Sequence, residues 1–230
     1  MRFNSAQIQK IGKEIRSKVD GKTLFDEFSR GRYSTDASVY QIKPLGVVLP
    51  KDTNDVLSLM EYSQKNSVPL LARGGGSSQC GQTVGESVVL DYSKHQNKIL
   101  ELNVEEKYVW VQPGVVLDHL NDYLKPHGLW FPVDVSTSSR ATIGGMSANN
   151  SCGSRSLYYG NMVHNVLAIE AILDDGSIFN FDQINKNYLA TKNNQDRLYK
   201  IIDKFIDVRQ KVGSEIDAHW PTTQRRVGGY

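Results

Sequence analysis

Cysteine is scarce in this sequence. Its 230 residues include only Cys80 and Cys152, too few for a disulfide scaffold or a cysteine-rich metal centre. Charge of one sign is missing too: 27 Lys and Arg face 25 Asp and Glu, a net +2. A dedicated nucleic-acid binder carries a clear basic excess, so that class is disfavoured. No apolar run approaches the roughly 18 residues that a membrane span needs. The opening Met1-Arg2-Phe3-Asn4-Ser5 leads into mixed polar residues and not into the apolar core of a signal peptide. The expectation is a soluble cytoplasmic protein, in which the sequon Asn149-Asn150-Ser151 has no role. The histidines His95, His119, His127, His164 and His219 contain no i, i+4 pair, so no metal site is expected. Internal repeats and long linkers are absent as well.

What is present is ordinary globular material. Hydrophobic residues make up 39% and charged residues 23%, which excludes disorder as the main state. A chain of this length buries roughly 70% of its unfolded surface, enough for one large core or two small ones. Ile8, Ile11, Ile15 and Val19 recur at helical spacing behind Asn4 or Ser5, which predicts an N-capped helix over Ser5 to Val19. A second short helix is expected over Thr23 to Phe28, ending near Gly31. Gly46 to Pro50 reads as a buried strand. A helix capped by Thr53 follows, with Val56, Leu59, Met60 and Ser63 on one face. Val68 to Ala72 is a strand whose proline places its start at an edge. Together these form a right-handed βαβ unit, followed by a strand at Ser87 to Asp91. Ile99–Leu102 with Tyr108–Val111, and Val166–Leu173 with Ser177–Phe181 around Asp174-Asp175-Gly176, predict two antiparallel hairpins. A helix over Val116 to Leu124 is stopped by Pro126 and Gly128. Leu198, Ile201, Ile202, Phe205 and Val208 form a helical stripe, after a polar loop over Asn180 to Gln195. The fold class is therefore α+β in two lobes: a small βαβ lobe with parallel strands, then a larger, mostly antiparallel lobe with flanking helices. The expected boundaries are a helical leader over 1–34, a first lobe over 35–95, a second over 96–185, and a loop, helix and tail over 186–230.

Two side-chain-poor segments carry the chemistry. Arg73-Gly74-Gly75-Gly76-Ser77-Ser78 follows a strand directly. Consecutive glycines allow positive φ and remove Cβ atoms, so successive N–H groups can converge on an anion, with the serine hydroxyls adding donors. A phosphate or pyrophosphate is the natural guest; a plain glycine-rich turn is the other reading. No Lys-Ser or Lys-Thr follows, so this is not a Walker A loop. No helix follows directly, so it is not a Rossmann loop. The second segment, Pro132 to Gly160, is dominated by small hydrogen-bonding residues. Such a stretch is either disordered or wrapped around a bound group, and Ile143 and Met146 within it favour wrapping. Two donor segments in different lobes suggest an extended ligand lying between them.

At these loops the sequence resembles the FAD-binding domain of the vanillyl-alcohol-oxidase/p-cresol-methylhydroxylase (PCMH-type) superfamily. Within it, the likeness is greatest to FAD-linked 2-hydroxy-acid dehydrogenases of the D-lactate, glycolate and D-2-hydroxyglutarate type. The matching stretches are Arg73 to Gln82, Val111-Gln112-Pro113-Gly114, and Asp134 through Tyr159-Gly160 to Asn165-Val166. Likeness extends from about Tyr33 to Phe181, with Arg226-Val227-Gly228-Gly229-Tyr230 a further fit. The resemblance implies that Gly74, Gly75, Gly76, Ser77 and Ser78 donate to the FAD pyrophosphate, with Arg73 offsetting its charge or serving as a structural ion pair. It implies that Pro132, Asp134, Ser136, Thr137, Gly144 and Gly145 line the flavin and ribityl-diphosphate. Ala148, Asn149, Ser151, Gly153, Tyr159, Gly160 and Val166 complete the channel, and Gln82 and Ile143 belong to the same set. Some members bind flavin covalently through a histidine in the glycine loop. Ser77 stands there instead, so non-covalent FAD is expected, with Cys80 and Cys152 as small buried fillers. His164 lies beside the flavin motif, but a loop histidine bonded to the backbone is the simpler reading. Family members continue into a closing strand, a substrate-binding cap and the catalytic residues. The chain therefore reads as the N-terminal fragment of an enzyme that passes hydride from a D-2-hydroxy acid to flavin N5. Its catalytic base lies elsewhere. The alternatives are the FAD domain of a UDP-N-acetylenolpyruvoylglucosamine reductase and a non-catalytic FAD or nucleotide-binding module.

Overall fold

A computed structural model describes residues 3–182, 197–223, 225, 226, 228 and 229. The first helix, α1 (Ser5–Arg16), starts where the sequence predicts. The Asn4 side chain accepts from the Gln7 amide and the Gln7 side chain returns the bond, a reciprocal cap that satisfies two orphan donors. Its inward face is Ile8, Ile11, Gly12 and Ile15. Each isoleucine buried there contributes about 1.5–3 kcal/mol.

The expected helix over Thr23 to Phe28 is replaced by two elements. Strand β1 (Lys22–Leu24) pairs antiparallel with β2 (Gly46–Leu49), Thr23 opposite Val48. Helix α2 (Glu27–Arg32) begins only after Asp26, whose carboxylate accepts from the Ser29 amide at 2.9 Å. The cap of α3 (Thr53–Asn66) is also one residue earlier than expected: Asp52, not Thr53, takes the amides of Asn54 and Asp55. An ionised carboxylate is the stronger acceptor at a helix start. The buried face of α3 is Asp55, Val56, Leu59 and Tyr62. Asp55 accepts main-chain N–H bonds from Asp20 at 2.7 Å, Gly21 at 2.9 Å and Lys51 at 2.7 Å. That buried carboxylate locks the turn before β1 onto the start of α3, and three charge-assisted bonds offset its desolvation.

Strands β3 (Leu70–Arg73) and β4 (Val88–Asp91) complete a four-stranded sheet of order β1-β2-β4-β3. The β2–α3–β3 unit exists, but β4 enters between its two strands and pairs parallel with both. β3 therefore lies at the edge, as its proline predicts. The central β4 is buried along its whole length and its apolar residues are continuous, the pattern of a strand covered on both faces. One core joins α1, α3 and this sheet through Ile15, Val48, Leu59 and Val88.

Beyond β4 the pairing turns antiparallel. β5 (Ile99–Asn103) and β6 (Tyr108–Val111) form one hairpin, with a bulge between Ile99 and Glu101. Helix α4 (Leu117–Leu124) packs Leu120 and Leu124 against it and passes into a 3₁₀ turn ending at Gly128, φ +68°. Short helices α5 (Ile143–Ala148), α6 (Ser156–Tyr159) and α7 (Met162–Asn165) follow. β7 (Ile169–Ile172) and β8 (Ile178–Phe181) make the second hairpin around the Asp174–Gly176 turn, with Gly176 at φ +82°. The expected loop over Asn180 to Gln195 lies outside the described residues from 183 onward. Helix α8 (Arg197–His219) buries Leu198 and Ile202. Its stripe then runs out of partners among the described residues, and Phe205 is 73% exposed. The architecture is α+β, as the element pattern predicts.

Candidate cofactor site

The glycine loop leaves the carboxyl end of β3, the side of a parallel sheet where ligands gather. It meets the second segment directly. A Cβ on Gly74 would run into Thr142 Oγ1, and one on Gly75 would run into the Arg140 carbonyl. Of the three consecutive glycines only Gly76 has positive φ, +65°. Gly75 is glycine because another main chain touches it, and Gly74 because the Thr142 side chain fills the space of a Cβ. Gln82 bridges the same pair of segments: it accepts from the Ser78 hydroxyl and gives its amide to Asn149 Oδ1 at 3.3 Å. The two side-chain-poor stretches, some 60 residues apart in sequence, thus form one surface.

Arg73 is committed to scaffolding. Its guanidinium donates to the carbonyls of Thr35 at 2.8 Å, Thr83 at 3.2 Å and Tyr33 at 3.4 Å, and stacks 5.2 Å from the Tyr33 ring. Burial pulls its pKa below the usual arginine value, against the pull of Asp91 and Asp36. It braces the glycine loop from beneath, with Gly76 folded over its guanidinium.

The second segment is built by closely fitted backbone. Gly144 leaves no room for a Cβ against Pro113 and bonds its N–H to the Pro113 carbonyl at 2.9 Å, so Val111–Gly114 is the floor under α5. Gly153 is equally tight against Asp134. Asp134 accepts from the Ser154 hydroxyl at 2.6 Å and the Arg155 amide at 3.0 Å. Burial works to raise its pKa, but those donors and the Arg155 charge prevail and hold it below the ordinary aspartate value. Arg155 also lies 5.1 Å over the Trp130 ring, which meets Tyr159 edge-on. His164 accepts the Asn161 amide on Nδ1 at 3.0 Å, the simpler of the two roles considered for it. Tyr159 and Gly160 lie at the end of α6, and Val166 caps α7. The expected burial of the cysteines is not found: Cys80 is exposed and Cys152 half-buried, both as free thiols, because each sits in a loop with no core of its own.

Two further observations bear on what this surface can hold. Among the described residues, the main-chain N–H groups of Gly75, Gly76, Ser77, Ser136 and Thr137 meet no protein acceptor. Thr142 Oγ1 is buried without a hydrogen-bond partner. Free amides on glycine-rich loops suit an anionic group, so the donor set fits a diphosphate. A separate cavity of about 410 Å³ lies beside α5 and α7, with Ala148, Val166, Gly228 and Gly229 in its wall. It takes in two of the expected site residues and none of the glycine loop. No cluster of three potential metal ligands occurs among the described residues. Sequence reasoning missed Thr142, Arg140 and Pro113, which meet the glycines; the glycines themselves were the available signal.

The fold, with its two packed loops, is that of PCMH-type enzymes of known structure. Alkyldihydroxyacetonephosphate synthase superposes on 80% of the chain with a TM-score of 0.66 at 20% identity, covering 36% of that protein. p-Cresol methylhydroxylase covers 77% at a TM-score of 0.61 and 19% identity, 36% of its own chain. At such identities these neighbours speak for the fold alone. Residues 44–182 match the family described as FAD binding domain, and the chain belongs to that family. FAD is its cofactor. The chain is 42% identical over 155 residues to the D-2-hydroxyglutarate dehydrogenase of Haemophilus influenzae, 66% of this chain and 15% of that enzyme. The chain thus spans less than a fifth of the length of the D-2-hydroxyglutarate dehydrogenases it matches.

Proposed function

We propose that this chain is the FAD-binding part of a longer FAD-linked dehydrogenase acting on a D-2-hydroxy acid. The carrying observation is the seating of Gly74 and Gly75 on Arg140 and Thr142, with unpaired amides on both sides. The likeness to D-2-hydroxyglutarate dehydrogenases favours this substrate class. In this reading the amides of Gly75, Gly76 and Ser77 hold the diphosphate, aided by the Ser77 and Ser78 hydroxyls. Pro132, Ser136, Thr137, Ile143, Gly144 and Gly145 lie along the ribityl and ring portion. Ala148, Asn149, Ser151, Gly153, Tyr159, Gly160 and Val166 line the rest, while Arg73, Gln82 and Asp134 position the loops. Residues 35–95 and 96–185 are its two lobes, with a leader over 1–34 and a tail over 186–230. A cytoplasmic location belongs to the same proposal.

Bound between these loops, FAD would supply the hydride-accepting chemistry that oxidation of a 2-hydroxy acid requires. The chain's contribution is orientation and charge. Fixed backbone donors stabilise negative charge without reorganising, which makes them effective where charge accumulates. The base and the cap that closes over the substrate lie outside this chain. With Ser77 in the loop, the cofactor is held without a covalent bond.

Titrating the purified chain with FAD tests the reading. Flavin absorption should shift on binding, and acid precipitation should release all the flavin. Anaerobic D-2-hydroxyglutarate or D-lactate should leave the bound flavin oxidised. A chain that binds no flavin overturns the cofactor role; bleaching by the hydroxy acid overturns the placement of the base elsewhere.

A further inference from the structure

Resting on the FAD reading, we infer that Arg225, Arg226, Gly228 and Gly229 act as a strap that holds the second loop segment in its cofactor-retaining shape, and that Asn150 and Asn161 are the positioning residues that fasten it. Four contacts carry this. Arg225 donates from its guanidinium to the Gly153 carbonyl at 3.0 Å. The Asn161 side-chain amide donates to the Arg226 carbonyl at 2.6 Å. The Asn150 side-chain amide donates to the Gly228 carbonyl at 3.1 Å. Gly229 lies so close to the Asn149 carbonyl and Asn150 nitrogen that any Cβ would collide with them.

The fasteners are unusual residues. Asn161 is only 2% exposed, and its side chain reaches out to main chain 65 residues away in sequence. Asn150 holds a left-handed backbone, φ +47°, which costs a non-glycine residue energy unless its surroundings enforce it. Its side chain is shared: Oδ1 accepts the Val163 amide at 3.1 Å while Nδ2 serves Gly228. One asparagine therefore links α5, α7 and the strap. The consequence is a wall. Gly228 and Gly229 line the same cavity as Ala148 and Val166. Removing the strap opens that cavity and frees the segment from Asn149 to Gly153 on one flank.

The test compares the full chain with a version ending at Thr223 and with Gly229→Val, which blocks the strap from seating while keeping its length. FAD affinity is read by titration, and fold integrity by far-ultraviolet circular dichroism and the melting of the flavin-free proteins. The strap predicts an unchanged dichroism spectrum and a Kd for FAD raised about tenfold or more in both variants, a difference of about 1.4 kcal/mol per decade. It also predicts faster amide exchange over 149–165 in the flavin-free truncated chain. Equal FAD affinity and equal exchange in the full and shortened chains would overturn the strap and leave the cofactor reading intact. Failure of the full chain itself to bind FAD would overturn both. If Gly229→Val unfolds, the shortened chain decides alone, because it adds no atoms to the fold.

Discussion

Replacing Gly74 by alanine probes the contact on which the site depends. The new methyl would land on Thr142 Oγ1, with Thr142 Cβ and Cγ2 only 3.2 and 3.4 Å away. Thr142 is 2% exposed at the start of α5, so it has little room to turn. Overpacking of this kind costs about 1–3 kcal/mol, and the rigid surroundings place Gly74→Ala near 2 kcal/mol on that scale. In a chain of this size that lowers Tm by about 4–8 °C. Thr142→Ala behaves differently. It gives up buried methyl packing worth about 1 kcal/mol, but it also removes a hydroxyl buried without a partner, whose desolvation costs about 1–3 kcal/mol. No helix cap is lost, since the Thr142 side chain makes no capping bond. The single change is therefore near neutral. The double variant should recover to within about 1 kcal/mol of the parent, a coupling of about 1–2 kcal/mol in the favourable direction. Urea unfolding of the four flavin-free proteins measures the cycle. Simple additivity, or a Gly74→Ala variant as stable as the parent, would mean that the loops do not touch and would refute the site.

Two other perturbations follow from the same geometry. Arg73→Met should lower the unfolding free energy by about 2–4 kcal/mol, because three main-chain carbonyls lose a charged donor; an unchanged urea midpoint would return Arg73 to the role of phosphate ligand. Burial pushes the Tyr92 phenol up to about 12. Its unfolded value is near 10, so the protein binds this proton more tightly when folded. The resulting stability is fully present below pH 10 and is lost as pH rises toward 12, about 2 kcal/mol by that point. Tyr92→Phe should flatten the alkaline limb of a stability–pH curve, and a limb of unchanged slope would assign it to other tyrosines.

Much of the fold was legible because its signals are local. Hydrophobic period gave α1 and α3, stop signals bounded α4, turn residues marked both hairpins, and Pro69 marked β3 as an edge strand. The misreadings have physical causes. Lys22–Leu24 has no helical or strand period of its own; it becomes a strand because β2 offers it a free edge. The insertion of β4 between β2 and β3 is a long-range pairing that no local pattern encodes. The burial of Asp55 has no local signal either: three amides from turns outside its helix converge on it. Phe205 and Val208 continue the helical stripe of Leu198 and Ile202 but are exposed, because among the described residues no partner surface covers them.

The glycines of the site carry a further lesson about how composition becomes function. Positive φ accounts for Gly76, but not for Gly74, Gly75, Gly144 or Gly153. Each of those four stands where the atoms of another segment take the place of a Cβ. Small residues let main chains approach this closely, and irregular loops pressed together cannot pair all of their amides as strands do. Unpaired donors are therefore a product of the packing itself. An anion that accepts several of them recovers bonds that the protein cannot make internally, so loop closure and cofactor binding stabilise each other. The Gly74–Thr142 contact is thus a lever on affinity as well as on stability. Loosening it should weaken FAD binding even where every serine hydroxyl of the loop is intact.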